Sequence, residues 1–292
     1  MLDAVRAGRV DLEGASEDEP GRDVAETAKL TLDPNRPARY RVKARLAVLV
    51  EDDDLVIVDK PAGLLTVPTA ERESDTLHAR VLDYLHHRYR RRPFAGVVHR
   101  LDKETSGAIV FARNRPALRS LQDLFRRHAI DREYVAIVEG RPPDSGTFAA
   151  DLVRDRGDRK RGIARPGEEG KRAVTHYRTV ERLDGAALVS VELETGRTHQ
   201  IRVHFSAAGH PVLGDRVYRR ASRESKVESR ELEAPRQMLH ARRLGFAHPT
   251  TGEPVKAQSP LPADFAGVLE ALRGKSKDRG GKGSRRRIVG SK

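Results

Sequence analysis

The 292-residue sequence predicts an α+β fold with a mixed, largely antiparallel central sheet flanked by helices and loops. Three observations carry this. Short apolar runs flank turn-forming residues, as they do in hairpins. Other stretches place apolar residues at helical spacing behind residues that start helices. The two kinds of segment intermingle without the regular strand–helix alternation that builds a parallel sheet.

In chain order, Ala47–Glu51 and Leu55–Asp59 are apolar runs around the acidic turn Glu51-Asp52-Asp53-Asp54, and read as a hairpin. Ser74 or Asp75 is placed to cap a helix whose apolar face is Leu77, Val81, Leu82 and Leu85. Ala108–Ala112 is a continuous apolar run and reads as a buried strand. Asn114 and Pro116 open a helix carrying Leu118, Leu121, Leu124 and Phe125. Tyr134–Glu139 and Leu188–Leu193 read as strands. In Arg197–Ala208 helical spacing puts Ile201, Phe205 and Ala208 on one face and His199, Arg202 and Ser206 on a more polar one, with Thr198 as the cap and Gly209 and Pro211 as the stop. Leu244–Phe246 and Pro254–Ala257 flank Thr250-Thr251-Gly252-Glu253 as a second hairpin.

Charge narrows the partners. Lys and Arg outnumber Asp and Glu by 56 to 43, a formal net charge of +13, which suits a polyanion such as nucleic acid and also a charge-rich enzyme. Residues 88–132 are strongly basic, with Arg88, Arg90, Arg91, Arg92, Arg100, Lys103, Arg113, Arg115, Arg119, Arg126, Arg127 and Arg132. No run of 18 apolar residues exists and the N-terminal stretch lacks a cleavage signature, so a cytoplasmic protein without a membrane partner is expected. Cysteine is absent, which excludes disulfides, Cys nucleophiles and Cys-held metals. From 274 on the chain is basic and Gly-rich with almost nothing apolar, so 273–292 reads as a disordered basic tail.

Two segments carry candidate chemistry. His99-Arg100-Leu101-Asp102-Lys103-Glu104-Thr105-Ser106-Gly107 joins a polar turn to a buried strand, which presents a carboxylate and an arginine on a rigidly held loop. An ionised Asp102 can act as nucleophile or general base. The same pattern also suits an aspartate that caps local amides. Glu194-Thr195-Gly196-Arg197-Thr198-His199-Gln200-Ile201-Arg202 places two arginines near a helix start, a grouping that holds carboxylates or phosphates. His199, His204 and His210 match no common zinc spacing and have no acidic or Cys companions, so no metal is expected. No Walker A or dinucleotide fingerprint is present, so no nucleotide cofactor is expected either. With no Trp and 4% aromatic residues, a broad base-stacking platform is not expected, and any stacking falls to one or two tyrosines.

Together these segments resemble the RluA-type family of RNA pseudouridine synthases. The 99–107 run is similar to the family's catalytic motif, and Asp59-Lys60-Pro61-Ala62-Gly63 to its first motif. Arg132 to Gly140 resembles its tyrosine strand. Thr195 to His204, continuing to Gly209-His210-Pro211 and Leu213-Gly214-Asp215, resembles its third motif. Leu239-His240-Ala241 and His248-Pro249 resemble its closing segment. The likeness spans about residues 45–265.

The resemblance implies the synthase catalytic fold and isomerisation of specific uridines in structured RNA, ribosomal or transfer, with no cofactor. It implies Asp102 as the catalytic aspartate, Arg202 as its basic partner and Tyr134 as the aromatic against the flipped base. A core strand role for Tyr134 and an ion-pair role for Arg100 stay open. RNA contacts are expected from Arg100, Arg197, Lys60, His99, Thr105 and Gln200. Residues 1–42 then form a partial small RNA-binding-like segment and 43–272 the catalytic domain, acting as a monomer on its RNA. Two other activities remain compatible: an RNA-binding or ribosome-assembly factor without catalysis, and a carboxylate glycosidase pairing Asp102 with Glu104 or Glu194.

Overall fold

The computed structural model describes residues 4–5, 9–17, 23–34, 46–71, 73–89, 93–154, 160–219 and 233–280. The chain divides into two compact units: Met1–Lys103 with Ile109–Asp123, and Glu104–Ala108 with Leu124–Lys292. Residues 43–272 are therefore distributed over both.

The first unit opens with three short antiparallel strands, β1 (Val10–Leu12), β2 (Ala15–Glu17) and β3 (Leu30–Leu32), in the order β2-β1-β3. Strands β4 (Ala47–Glu51) and β5 (Leu55–Lys60) form the expected hairpin, and Leu55 to Val58 are fully buried. Asp52 turns it, its Oδ1 accepting the Asp54 and Leu55 N–H groups at 2.8 and 2.9 Å. Helix α1 (Leu77–Tyr89) buries Leu77, Val81 and Leu85. Its cap is Thr76, whose Oγ1 accepts the Ala79 N–H at 3.2 Å, and not Ser74 or Asp75. Asp75 is instead taken by Arg80 in two hydrogen bonds of 2.8 and 2.7 Å. Strand β6 (Gly96–Val97) pairs antiparallel with the end of β7 (Ser106–Ala112), a strand buried along its whole length. Asn114 caps α2 (Arg115–Arg126), accepting the Ala117 N–H at 2.8 Å.

The second unit is built on an antiparallel ladder of β8 (Asp131–Glu139), β9 (Ser145–Val153), β10 (Gly162–Ile163), β11 (Lys171–Arg182), β12 (Ala186–Leu193) and β13 (Leu239–Ala247), in the order β10-β9-β11-β12-β8-β13. Strand β14 (Pro254–Gln258) closes a hairpin on β13. The first residues of β7 pair parallel with β13, His240 opposite Ser106, which makes the sheet mixed. Helix α3 (Gln200–Ala207) packs Val203 with Leu152, Ala173 and Tyr218. Helix α4 (Ala263–Gly280) drives Phe265, Leu269 and Leu272 into a core with Val135, Ile137 and Leu188.

Strands β9 and β11 and helix α4 carry no signal used in the sequence reading. Along β9 exposed and half-buried residues alternate, so apolar runs are missing. Where an unstructured tail was expected from 273, the chain is helical to Gly280, and 281–292 lie outside the described residues.

Candidate active site

Asp102 sits half-buried on the loop that leads into β7, and side chains hold the backbone on both sides of it. On the upstream side, Thr66 clamps Leu101: its Oγ1 donates to the Leu101 carbonyl at 2.9 Å and accepts the Leu101 N–H at 3.2 Å. Lys60 reaches the residue on the other side. Its Nζ donates to the carbonyls of Pro61, Leu64 and Lys103 at 2.9, 2.6 and 2.9 Å. His99 is half-buried, with Nε2 facing the Val110 N–H at 3.4 Å.

Downstream, the segment 236–241 lies along 104–107 almost residue by residue. Arg236 Nη1 donates to the Glu104 carbonyl at 3.0 Å. Gln237 Nε2 donates to Thr105 Oγ1 at 2.7 Å. Ser106 Oγ and His240 Nδ1 are 3.0 Å apart. Gly107 has φ +117°, and a Cβ there would overlap the backbone of Ala241. Glycine is required twice over, for its conformation and for this approach.

The third-motif segment is organised by a buried amide. Gln200 Oε1 accepts the Thr195 hydroxyl at 2.7 Å and the Arg197 N–H at 2.9 Å, while Nε2 donates to the Val174 carbonyl and to Thr175 Oγ1, both at 2.9 Å. All four hydrogen-bonding positions of the amide are thereby met. The helix consequently starts at Gln200 and not at 197; His199 precedes it with φ 59°, and Thr198 caps nothing in this geometry. Arg197 is exposed, its Nε donating to the Arg172 carbonyl at 3.0 Å.

Arg202 is 6% exposed and forms a bidentate pair with Asp215, Nε to Oδ2 at 2.7 Å and Nη2 to Oδ1 at 3.0 Å. Its guanidinium lies over the Tyr218 ring, 5.0 Å from the centroid. Burial alone would push Asp215 up. Arg202 and the N–H groups of Tyr218 and Val217 outweigh it and hold the carboxylate below its ordinary value. The polar face expected of this helix converges on one residue: His199 Nδ1 is 2.8 Å from the Tyr218 hydroxyl, and Ser206 Oγ donates to the Tyr218 carbonyl at 2.8 Å. Tyr218 has no sequence signal, and Asp215 was part of a motif without an assigned role.

Tyr134 lies in β8 between Val191 of β12 and Ala241 of β13, with 8% of its surface exposed. Two residues earlier, on the same face, Arg132 is equally buried. Its Nη2 donates to the carbonyls of Leu193 and Glu194 at 3.1 and 3.0 Å, and its Nε has no hydrogen-bond partner among the described residues. Burial lowers its pKa, and Tyr134 opposes that shift. In sequence Arg132 is one base in a basic stretch and the first residue of the tyrosine-strand segment, with no role of its own assigned.

Three residues expected to contact RNA are buried and bonded within the chain. Lys60 is fully buried and its three N–H groups meet three carbonyls. Thr105 and Gln200 are 2% and 3% exposed and bonded internally. These polar side chains hold the loops that carry Asp102 and Arg197. Arg100, Lys103 and Arg197 are the exposed cations of the two segments. The three histidines have separate tasks: His199 meets Tyr218, His204 Nδ1 meets Thr175 Oγ1 at 2.9 Å, and His210 Nδ1 meets the Glu139 carbonyl at 3.0 Å.

Comparison with known proteins identifies the family. The family described as RNA pseudouridylate synthase matches residues 54–207. The chain is 41% identical over 232 residues to the ribosomal large subunit pseudouridine synthase D of Zymomonas mobilis, covering 78% of this chain and 73% of that protein. It is 39% identical over 277 residues to the protein of the same name from Pseudomonas aeruginosa, covering 92% of this chain and 85% of that one. Among solved structures it is similar to human RNA pseudouridylate synthase domain containing 4, with a TM-score of 0.62 and 26% identity over 78% of this chain and 93% of that one. With a loop-borne aspartate, a strand tyrosine and a family match over half its length, the chain belongs to the RNA pseudouridylate synthase family and is an isomerase acting on RNA.

Proposed function

We propose that this enzyme converts uridine to pseudouridine in ribosomal RNA of the large subunit, with Asp102 as the reacting carboxylate. The N1–C1′ bond breaks, the uracil turns over, and C5 bonds to C1′. The C5 proton leaves and N1 ends protonated, so the product is an isomer and atoms balance without a cofactor. Asp102 acts either at C1′ or on the 2′ proton; both require an ionised carboxylate. Arg202 is its basic partner. Tyr134 packs on the flipped base and its hydroxyl assists loss of the C5 proton. Arg100 and Arg197 contact the RNA and help offset the few kcal/mol that flipping costs.

The observation that carries this reading is the double clamp on the Asp102 loop. Buried side chains fix the carbonyls or hydroxyls of Leu101, Lys103, Glu104, Thr105 and Ser106 while the aspartate itself stays half-buried. A loop held this way presents a carboxylate in one geometry, as a reaction on a flipped nucleoside demands. The names of the relatives support ribosomal RNA as the substrate. The enzyme is read as a cytoplasmic monomer whose catalytic domain is 43–272, with residues 1–42 a partial RNA-binding segment.

The test is pseudouridine mapping on total RNA from wild-type cells, cells lacking the gene, and cells complemented with Asp102→Ala. A large-subunit site lost on deletion and not restored by the variant is the expected result. Restoration by Asp102→Ala would refute the role of the carboxylate. Loss only at a transfer RNA site would refute the substrate.

A further inference from the structure

Arg236 stands outside the three segments that supply the proposed reacting groups. Yet it is 6% exposed and commits its guanidinium to six acceptors. Nε and Nη2 grip the Asp264 carboxylate at 2.6 and 3.0 Å. Nη1 donates to the carbonyls of Glu104 and Gln237 at 3.0 Å, and to that of Leu239 at 3.4 Å. Nη2 also reaches Ser106 Oγ at 3.3 Å. Only a planar fork of five donors meets this set; a lysine ammonium has three donors and no plane.

Each end of the fork has a distinct mechanical meaning. Asp264 lies in the first turn of α4, and the next residue, Phe265, is fully buried in the core with Leu269 and Leu272. That end is therefore anchored. At the other end Nη1 holds the carbonyl two residues after Asp102, while Nη2 also reaches the hydroxyl four residues after it. Isolating a guanidinium from water costs several kcal/mol unless it is paired. Here Asp264 supplies the charge pairing, and the remaining donors are shared between the 237–239 carbonyls and the Glu104 and Ser106 oxygens.

We propose that Arg236 is a positioning residue for the isomerisation: anchored by Asp264, it fixes the Glu104 carbonyl and the Ser106 hydroxyl, and thereby the direction of the Asp102 carboxylate. This rests on the reading of Asp102 as the reacting group. Arg236 touches no substrate, so its removal slows the chemical step and leaves RNA binding intact.

The experiment is single-turnover release of tritium from C5 of labelled uridine, using large-subunit ribosomal RNA from cells lacking the gene. RNA affinity and thermal melting are measured in parallel on the full chain. Arg236→Ala is expected to lower the rate roughly 10²-fold, the scale of a misplacement of about 1 Å, with unchanged RNA affinity. Arg236→Lys restores little. Asp264→Asn, which leaves the fork in place but loosens its anchor, lowers the rate about tenfold. Millimolar guanidinium ion raises the rate of Arg236→Ala and does nothing for Asp102→Ala. A wild-type rate in Arg236→Ala overturns the proposal, as does a rate that falls only in step with RNA affinity. If Arg236→Ala does not fold, a wild-type rate in Asp264→Asn overturns it. An active Asp102→Ala overturns the reading beneath it, a result separable from the others because Arg236 is untouched in that variant.

Discussion

Gly107 lies against the backbone of Ala241 so closely that no side chain fits between them. With φ +117° it also occupies a backbone region that costs other residues about 1–3 kcal/mol. Gly107→Ala adds overpacking against backbone that cannot yield, so it is expected to destabilise by about 3 kcal/mol or more in urea unfolding. Gly63 is the control. Its φ is +80°, but an added Cβ there meets nothing within 4 Å. Gly63→Ala should lose only the conformational part, about 1 kcal/mol. Equal losses at the two sites would refute the packing argument.

Asp215 is the partner that makes a buried Arg202 tolerable, and it also accepts the Val217 and Tyr218 N–H groups at 2.9 and 3.0 Å. Asp215→Ala removes the bidentate partner of a buried cation. The expected cost is about 3–5 kcal/mol, read from the unfolding midpoint, together with loss of pseudouridine formation. A variant with wild-type stability would mean that Arg202 had found another anion.

His204 gives the fold an acid limit. It is 2% exposed, and burial lowers its pKa from 6.5 to about 4. Between those values the unfolded chain binds a proton that the folded chain does not. The stabilising contribution is therefore fully present above pH 6.5 and is lost as pH falls through about 4. The whole effect is about 3 kcal/mol. His204→Met should flatten the stability profile in this window, since Thr175 Oγ1 retains Gln200 as a donor. A profile as steep as that of the wild type would assign the acid sensitivity to other groups.

Buried and exposed bases should separate in RNA binding. Lys60→Met removes the ammonium that bridges Pro61, Leu64 and Lys103, and is expected to cost about 3 kcal/mol of stability with no change in the salt dependence of binding. Arg100→Ala and Arg197→Ala should each reduce the salt slope by about 1 with little effect on folding. The measurement is RNA affinity across a range of ionic strength. A reduced slope in Lys60→Met would contradict its burial.

Local chemistry was legible where it alone decides structure. The hairpin around Asp52, the Asn114 cap, the buried strand ending at Ala112 and the β13–β14 turn follow from side chains within a few residues of each other. Strands β9 and β11 were not legible, because their residues gain meaning only from pairing with each other across a distance in sequence. The helix start at Gln200 was misplaced for a related reason. The group that meets the Arg197 N–H is an amide later in the chain, and not the hydroxyl of Thr198. The polar residues of the motifs divided along the same line. Sequence marks Lys60, Thr105 and Gln200 as notable but does not say whether they point at a ligand or at their own backbone.

The loop bearing Asp102 is completed by groups 132 positions further along the chain, through Arg236 to Glu104 and Gln237 to Thr105. Contacts of such sequence separation form late, after the entropy of closing the intervening chain has been overcome. While the protein is being synthesised, Asp102 emerges long before the segment that shapes its loop. A nascent chain halted before Arg236 carries Asp102 without the groups that hold its loop. With Asp102 as the proposed reacting group, catalytic competence is thus tied to completion of the fold, and a truncated product is an unarmed one.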